Sequence, residues 1–427
     1  MTEDKKRVLI LGAGAAGIST AIELKKVSAS IPGLDVTLLD QRDYHHPLPF
    51  IWQVVSGSVE PSHISFPLHA LMRQKGAAGP VKFKQCRVQG IHVEKKVINT
   101  NNGELEWDYL VIALGSATNF FGMADVEENS LIFKSNRDAV NIHNRILDNY
   151  EAALRERNEE RRRALLTFVV VGGGPTGIEL AAAIQDFVCK ALVRDYPSPM
   201  TQARVLLVEA EGALLSGLGA KVSELAVSRL LSRGIEVLLK TRIIKVWLEG
   251  IQTADGQTIE TNTVIWVAGV KPVAVVESLP FKKAKDGRIV VNQYLEVPES
   301  PGIYVLADCA YLLQGNGLAP YPPTQQVAMR QGPACARNIV RAMQNKSQHP
   351  FRYKFKGQVI YMGRNLVLAQ LGNRAFDGFT AALLRRAYYL WVFISYLGLS
   401  TEFRRKLSAV CRWVPAYFYH RNMAHLD

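Results

Sequence analysis

Residues 7–24, RVLILGAGAAGISTAIEL, decide the fold of this 427-residue chain. A short apolar run leads into Gly12, Gly14 and Gly17, which have the spacing G-x-G-x-x-G, and a helical pattern follows. The first glycine permits a tight turn, the second lets the backbone approach a ligand closely, and the third lets the helix pack against the strand. The helix N-terminus adds N–H donors and the positive end of a dipole, which together favour a bound phosphate.

The same pattern occurs again in FVVVGGGPTGIELAAA, residues 168–183, with Gly172, Gly174 and Gly177 in the corresponding places. One such motif is a weak indication, because glycine-rich turns are common, but two copies in strand–turn–helix context are a strong one. The chain is therefore predicted to be an α/β protein with two Rossmann-like dinucleotide-binding domains. Two such sites favour electron transfer between two dinucleotides.

Each copy is followed by a second strand with an acid at its end, Asp40 in VTLLD and Glu209 in VLLVEA. A carboxylate at that place can accept hydrogen bonds from both hydroxyls of an adenosine ribose. The carboxylate of Glu209 would also repel a 2′-phosphate, and no arginine adjoins it to bind one. NADH is therefore predicted rather than NADPH.

Composition narrows the class of protein. With 48% hydrophobic and 21% charged residues, the chain is that of a folded protein, and its length favours two or three domains. The net charge of +13 indicates attraction to a polyanion, either nucleic acid or an anionic membrane. The five cysteines form no CxxC pair and no metal-ligand spacing, so we predict no metal site and a reducing compartment. The apolar run near the N-terminus is too short for a secretion signal, which favours the cytoplasm.

Three later segments each end a strand where the chain can turn beside a nucleotide: WDYLVIALGSATN (107–119), NTVIWVAGVKP (262–272) and GIYVLADCA (302–310). With the two glycine motifs, this set resembles the two-dinucleotide-binding-domain flavoprotein disulfide reductase superfamily over about residues 5–345. The resemblance implies FAD in the first site and NADH in a second domain inserted into the first.

The resemblance also implies the residues that contact each cofactor. Those for FAD are Gly12, Gly14, Ala15, Ala16, Gly17, Asp40, Gln41, Ala113, Gly115, Asp308, Thr324, Gln325 and Gln326. Those for NADH are Gly172, Gly174, Pro175, Thr176, Gly177, Glu179, Glu209 and Gly269.

Three of these positions have more specific expectations. Asp308 is expected near the ribityl chain and pyrophosphate of FAD. Ala307 stands where the superfamily usually has glycine, and because alanine prefers negative φ, a negative φ is predicted there. Glu179, placed in the first turn of the second motif's helix, either complements the helix dipole or, by the resemblance, contacts the nicotinamide ribose or relays protons near the flavin.

The electron acceptor is predicted by exclusion and by three segments, the third of which is the C-terminal tail, residues 381–427, described below. Thioredoxin, glutathione and lipoamide reductases carry a thiol pair against the flavin, and this chain shows no such pair. Sulfide:quinone reductases need active-site cysteines and lack a complete NADH unit, whereas that unit is intact here. Residues 43–60, DYHHPLPFIWQVVSGSVE, resemble the stretch after the first acid in type II NADH:quinone oxidoreductases. PPTQQVAMRQG, residues 322–332, aligns with that family's quinone-site motif AQxAxQxG. From about residue 7 onwards the chain resembles this family, which implies transfer of two electrons from NADH through FAD to a quinone, without ion pumping.

The aligned motif departs from the family pattern at two positions, because Gln325 replaces the alanine and Arg330 replaces the second glutamine. Glu179, Gln326 and Arg330 are the candidate catalytic residues. Arg330 either holds the quinone oxygen or pairs with an acid and leaves the quinone to Gln326 or Gln331. The helix that opens near Thr324 would aim its positive end at the flavin.

The C-terminal tail, residues 381–427, contains seven Lys or Arg, two acids and ten aromatic residues. Its longest uncharged stretch, 387–401, is shorter than the roughly 20 residues that cross a bilayer. Aromatic and basic residues suit an amphipathic helix at an anionic membrane surface, although a helix covering the core or a dimer surface is the alternative. The predicted location is the cytoplasmic face of the cell membrane, by monotopic attachment. No nucleic-acid module is recognisable, and a homodimer is left open.

The predicted domains follow from these assignments. They are an FAD-binding part at 1–125, a linker at 126–165, an NADH-binding domain at 166–277, a second FAD-binding part with the quinone-site helix at 278–380, and membrane-associating helices at 381–427. The rival functions are a soluble NADH:acceptor reductase of the ferredoxin-reductase or apoptosis-inducing-factor type, and a non-enzymatic NADH-binding protein.

Overall fold

The computed structural model describes residues 5–27, 31–73, 81–192, 196, 202–315, 317, 319–354, 357–363, 366–371, 374–376 and 424–426. The strands, numbered in chain order, are β1 Lys6–Leu11, β2 Leu34–Asp40, β3 Tyr44–His45, β4 Phe66–Pro67, β5 Val81–Gln85, β6 Val88–His92, β7 Val97–Thr100, β8 Gly103–Glu106, β9 Tyr109–Ile112, β10 Ser116–Thr118, β11 Leu131–Ile132, β12 Thr167–Val171, β13 Arg204–Val208, β14 Ile235–Leu238, β15 Ile243–Trp247, β16 Gly250–Thr253, β17 Thr258–Glu260, β18 Thr263–Trp266, β19 Val270–Pro272, β20 Ile289–Val290, β21 Ile303–Val305, β22 Ala310–Tyr311, β23 Gln358–Tyr361, β24 Val367–Leu371 and β25 Arg374–Phe376. The helices are α1 Ala15–Val27, α2 Trp52–Val55, α3 Leu68–Met72, α4 Ala124–Asn129, α5 Asn136–Arg155, α6 Glu159–Leu165, α7 Pro175–Asp186, α8 Ala220–Leu231, α9 Ala274–Glu277 and α10 Gln325–Met343.

Two parallel five-stranded sheets organise the molecule. The first has the strand order β21-β9-β1-β2-β5, and the second has the order β11-β18-β12-β13-β14. The strand that opens each glycine motif, β1 or β12, lies at the centre of its sheet, and its apolar residues, 8–11 or 168–171, are buried on both faces. Such strands are typical of parallel sheets covered by helices. The predicted α/β fold with two dinucleotide-binding units is confirmed.

The duplication extends beyond the glycine motifs. In each unit a small antiparallel three-stranded sheet, β6-β7-β8 or β15-β16-β17, is inserted just before the strand that returns to the central one, β9 or β18. An antiparallel ribbon of β10 and β19 follows these returning strands and joins the two units. Equivalent insertions at equivalent places are consistent with two copies of one nucleotide-binding unit.

The segment predicted as a linker, 126–165, is built into the second unit. β11 pairs in parallel with β18, and α5 buries one face that includes Ile142, Ile146 and Tyr150. The charged run 153–166 supplies the end of α5 and the short helix α6, whose arginines point outward apart from the half-buried Arg162. The apolar positions of α5 recur at helical spacing, so the amphipathic pattern accounts for its burial.

α10 follows the second part of the first unit and packs directly against α1. A Cβ added at Gly332 would lie 2.6 Å from the Ala16 carbonyl oxygen, so the absence of a side chain lets the two helices approach closely. The helix continues through Pro333 to Met343. This packing places the start of α10 beside the first glycine turn.

The predicted membrane-associating tail lies outside the described residues except for 424–426. Within the described ranges, we find no helix that combines the length and the apolar character needed to cross a bilayer.

Candidate active site

The first glycine turn has the close packing that its spacing predicts. Gly12 adopts a φ of +94°, and a Cβ there would lie 2.3 Å from the Ala113 carbonyl oxygen. A Cβ at Gly17 would lie 1.8 Å from the Gly12 carbonyl oxygen, whereas one at Gly14 would meet nothing within 4 Å. The first and third glycines are therefore required by the protein itself, and the second faces open space at the start of α1.

The second glycine turn repeats this geometry. Gly172 has a φ of +122°, a Cβ on Gly177 would lie 1.8 Å from the Gly172 carbonyl oxygen, and Gly174 again faces open space. Gly174 is also the N-cap of α7, with Pro175 as the first helical residue. An open space at a helix N-terminus, beside a glycine, is what a pyrophosphate needs.

The two acids bind the turns in the same way. One carboxylate oxygen of Asp40 accepts the Ala13 N–H at 2.7 Å, and one carboxylate oxygen of Glu209 accepts the Gly173 N–H at 2.5 Å. The second oxygen of each accepts the N–H two residues further on, from Arg42 and Glu211. Each acid is thus fixed at the edge of its cradle, where an adenosine ribose would lie. Both cradles fit the dinucleotides that the sequence predicts.

The remaining predicted contact residues lie around these cradles. Ala15 and Ala16 begin α1, Pro175 and Thr176 begin α7, and Gln41 is exposed just beyond β2. Gly115 and Gly269 adopt φ values of +73° and +80° after the strand ends β9 and β18. The structure therefore brings both sets to the carboxyl ends of their sheets, the edge at which open α/β sheets bind ligands.

The turn before Asp308 differs from the sequence-based expectation. Ala307 has a φ of +56°, so the prediction of negative φ is wrong. The buried side-chain oxygen of Gln331 accepts the Ala307 N–H at 2.6 Å, which holds this left-handed conformation. Ala307 adopts the left-handed conformation that glycine usually adopts, because the hydrogen bond to Gln331 on α10 stabilises it. The side-chain oxygen of Gln331 is thereby engaged by the protein.

Asp308 forms part of a polar chain at the first site. One of its carboxylate oxygens accepts a hydrogen bond from the Ser116 hydroxyl at 2.7 Å, and the Lys134 ammonium donates to the same hydroxyl at 3.1 Å. Neither Ser116 nor Lys134 was singled out from the sequence, because no local motif marks them and their partners are distant in the chain.

Glu179 holds a proton more tightly than an ordinary glutamate. It is the fifth residue of α7, whose first turn carries no acid, so its predicted place in the first turn is wrong and the helix dipole does not explain it. Burial raises the pKa of Glu179 to about 8, although the Tyr361 N–H, 3.2 Å from a carboxylate oxygen, opposes that rise. The group can therefore give up or take a proton near neutral pH.

A buried cluster that the sequence did not reveal holds Tyr361 in place. The Tyr361 hydroxyl donates to the carboxylate of Asp186, which is buried on α7 and also paired with Arg233. The Trp52 ring stacks on the Tyr361 ring, with centroids 3.9 Å apart and planes inclined by 13°. Trp52 lies in the 43–60 segment, so that segment packs against the strand that contacts Glu179.

The start of α10 is capped as predicted, but its polar residues face different partners. The Thr324 hydroxyl accepts the Val327 N–H. The Gln326 side chain accepts from the Tyr353 hydroxyl at 2.7 Å and donates to the Gly357 carbonyl at 3.0 Å. Gln325 is half-buried and Arg330 is exposed, with no acid bound to Arg330 among the described residues.

Comparisons with known proteins agree with this geometry. Residues 6–332 match the family model described as pyridine nucleotide-disulphide oxidoreductase. A curated relative from Staphylococcus aureus (strain MSSA476), named type II NADH:quinone oxidoreductase, is 27% identical over 95% of this chain and 99% of its own length. The resemblance stated from the sequence is confirmed by this relative.

Solved structures show the same fold. A structure of NDH2 from Plasmodium falciparum in complex with NADH superposes with a TM-score of 0.85 at 20% identity, covering 98% of this chain and 100% of that one. The sulfide:quinone oxidoreductase from Aquifex aeolicus superposes with a TM-score of 0.70 at 20% identity, covering 90% and 91% of the two chains.

Proposed function

The chain belongs to the pyridine nucleotide-disulphide oxidoreductase family, and we propose that within it this enzyme passes two electrons from NADH through FAD to a quinone. FAD and NADH are its cofactors. Bound FAD supplies the hydride and electron chemistry, and the protein supplies binding, orientation and proton control. The acceptor is proposed because the relative from Staphylococcus aureus bears the name of an NADH:quinone oxidoreductase.

A dithiol acceptor is not supported by the described cysteines. Cys86, Cys189, Cys309 and Cys335 form no disulfide, and burial raises the pKa of Cys309 to about 12. A thiol with such a pKa stays protonated at neutral pH and is a poor nucleophile. The cysteines in the described residues therefore favour an acceptor that needs no protein thiol.

The observation that carries the proposal is the place of the Glu179 carboxyl, enclosed on α7 behind the NADH cradle and contacted by the Tyr361 N–H at 3.2 Å. Reducing a quinone to a quinol consumes two electrons and two protons, and oxidising NADH releases a hydride. One further proton must therefore come from solvent through the protein. Glu179, with a pKa of about 8 on the helix that opens the NADH cradle, is a group that can store that proton at neutral pH.

We also propose that residues 381–427 attach the enzyme to the cytoplasmic face of the cell membrane, where a lipid-soluble quinone would reach it. The support is the composition of the tail, whose seven basic residues exceed its two acids and whose aromatics suit the lipid interface. Its longest uncharged stretch is short for a span, which supports surface attachment without ion pumping.

The proposal is tested on the two half-reactions of the full-length enzyme. We expect NADH to bleach the flavin absorbance anaerobically, and ubiquinone or menaquinone to restore it. A soluble dye serves as the reference acceptor. If the dye reoxidises the reduced enzyme while neither quinone does so in the presence of anionic vesicles, the acceptor is not a quinone.

Replacing Glu179, the proposed proton donor, tests its role. We expect Glu179→Gln to slow quinone-dependent reoxidation by about 100-fold, the usual contribution of a general acid, and to slow flavin reduction by NADH much less. Glu224→Gln, which alters an exposed glutamate on α8, is the matched control. Equal slowing of both half-reactions by Glu179→Gln would assign the residue to NADH binding instead.

A further inference from the structure

A lysine, a serine and an aspartate join three distant parts of the chain at the first site. The Lys134 ammonium lies 3.1 Å from the Ser116 hydroxyl, which donates to Asp308 at 2.7 Å. Lys134 therefore contacts a neutral hydroxyl and reaches the carboxylate only through it. All three side chains are half-buried.

The position of this chain of contacts follows from the sheets. Ser116 comes four residues after the end of β9, and Asp308 comes three residues after the end of β21. β9 and β21 are parallel neighbours, so both residues lie at the carboxyl edge of the first sheet, where the FAD cradle opens. Lys134 comes two residues after β11, at the carboxyl edge of the second sheet. The ammonium therefore lies between the two cradles, on the side where both nucleotides bind.

The folded structure gains little from a cation at this place. Burial lowers the pKa of Lys134, although the carboxylates of Asp308 and Asp138 oppose that change. Lys134 also precedes α5, whose N-cap is Ser135, and a cation there faces the positive end of the helix dipole. A lysine that is both desolvated and unfavourably placed on its helix calls for a function outside that helix.

The neighbouring groups fix the lysine backbone, and none of the described carboxylates forms a direct ion pair with the Lys134 ammonium. The Lys134 N–H donates to the Asp138 carboxylate at 2.9 Å, and a His46 ring N–H donates to the Lys134 carbonyl. Burial lowers the pKa of His46 to about 4, so this imidazole is neutral under ordinary conditions. The other ring nitrogen of His46 is buried without a hydrogen-bond partner, which leaves an acceptor at the same edge.

We propose that Lys134 places a positive charge at the carboxyl edge of the first sheet, beside the FAD cradle, and raises the reduction potential of bound FAD. Two-electron reduction places negative charge on the flavin, and a preorganised cation in a partly dry site stabilises such charge strongly. Ser116 and Asp308 position the ammonium without neutralising it directly. Lys134 is a positioning and electrostatic residue in this proposal, and the proposal requires bound FAD but no particular acceptor.

The test measures the FAD reduction potential by spectroelectrochemical titration of the full-length holoenzyme, with no quinone present. We expect Lys134→Gln and Lys134→Met to lower the equilibrium constant for FAD reduction about tenfold, which is about 30 mV for a two-electron couple. Lys134→Arg keeps the charge and is expected to remain within about threefold of the wild type. Lys82→Met, which removes an exposed lysine paired with Asp35 on the same sheet, is the matched control and is expected to change nothing.

Two results would overturn the proposal. One is a wild-type potential in the neutral variants that retain FAD. The polar glutamine variant keeps this test available if the methionine variant does not fold. The other is an equal fall in Lys134→Arg and Lys134→Gln, which would show that packing rather than charge is responsible. Because no quinone is added, failure here leaves the proposed acceptor untouched, and failure with quinones leaves this proposal untouched.

Discussion

Gln331 fixes the turn that carries Asp308, although it adjoins a position aligned with a quinone-site motif. We expect Gln331→Leu to lower the free energy of unfolding by about 1 to 3 kcal/mol, because the Ala307 N–H loses its acceptor. Urea titration measures this change, and Gln344→Leu at the exposed end of α10 is the control. If the two variants lose the same stability, the hydrogen bond does not hold the turn.

The raised pKa of Glu179 also leads to a prediction of how the stability of the protein depends on pH. Because burial raises the pKa of Glu179 from 4.5 to about 8, the folded state binds more protons than the unfolded state between these values. Its contribution to the free energy of unfolding is therefore full below about pH 4.5 and is lost as the pH rises towards 8. We expect Glu179→Gln to flatten the fall in stability from pH 5 to 8, measured by urea titration at several pH values. An unchanged slope would contradict the raised pKa.

Single residues also show what the sequence can predict. The glycine turns and their acids were predictable, because φ at Gly12 and the reach of Asp40 are set within one strand–turn–helix unit. The conformation of Ala307 was not, because it depends on a side chain 24 residues away. The Lys134–Ser116–Asp308 contacts span 192 residues and have no local signal for the same reason.

At the level of elements, Tyr361 attaches β23 to α7 through both its backbone and its side chain. Its N–H reaches Glu179 and its hydroxyl reaches Asp186, which lies two turns further along the same helix. Gly363 packs its backbone against the Arg233 guanidinium, so the ion pair of Arg233 with Asp186 also supports the end of this strand. The strand therefore sets the hydrogen bond that Glu179 receives.

We expect Tyr361→Phe to lower the free energy of unfolding by about 1 to 3 kcal/mol, because a buried carboxylate loses a hydroxyl donor. Loosening the strand also weakens the N–H bond that opposes proton uptake by Glu179, so the pKa of Glu179 should rise further. The pH profile of quinone reduction is expected to shift to higher pH. Tyr109→Phe, at a half-buried tyrosine whose hydroxyl makes no hydrogen bond in the described structure, is the control. A loss of stability without a shifted pH profile would show that β23 does not influence the pKa of Glu179.

Element boundaries were predicted best where a pattern is long and local. The start of α10 at Thr324 follows from a capping residue, whereas α5 lies in the segment that was predicted as a linker. β11 has only two residues, and it is a strand because it pairs with β18, more than 130 residues later. No window of sequence contains both partners, so the contribution of 131–132 to the second sheet could not be predicted.

At the scale of the whole molecule, residues 424–426 contact α5 of the second unit. The Asn144 side-chain amide on α5 makes two hydrogen bonds with the Leu426 backbone, one to its carbonyl and one from its N–H, both 2.8 Å long. His143 contacts the Ala424 carbonyl at 3.1 Å, and His425 pairs with Asp148 at 2.9 Å. The end of the chain is therefore held by three residues spaced along one face of α5.

We expect Asn144→Leu to release residues 424–426, because an isobutyl side chain can replace neither of the two hydrogen bonds. The expected loss is about 1 to 3 kcal/mol in the free energy of unfolding, at roughly 0.5 to 1.5 kcal/mol for each bond. Carboxypeptidase digestion should also shorten the variant faster than the wild type. Asn141→Leu makes the same substitution at an exposed position one turn earlier on α5 and is expected to change neither measurement. Equal digestion rates for the wild type and both variants would show that α5 does not hold the end of the chain. Faster digestion of Asn144→Leu alone would establish that the proposed membrane segment is tethered to the second unit at its far end, which limits how far that segment can move from the NADH cradle.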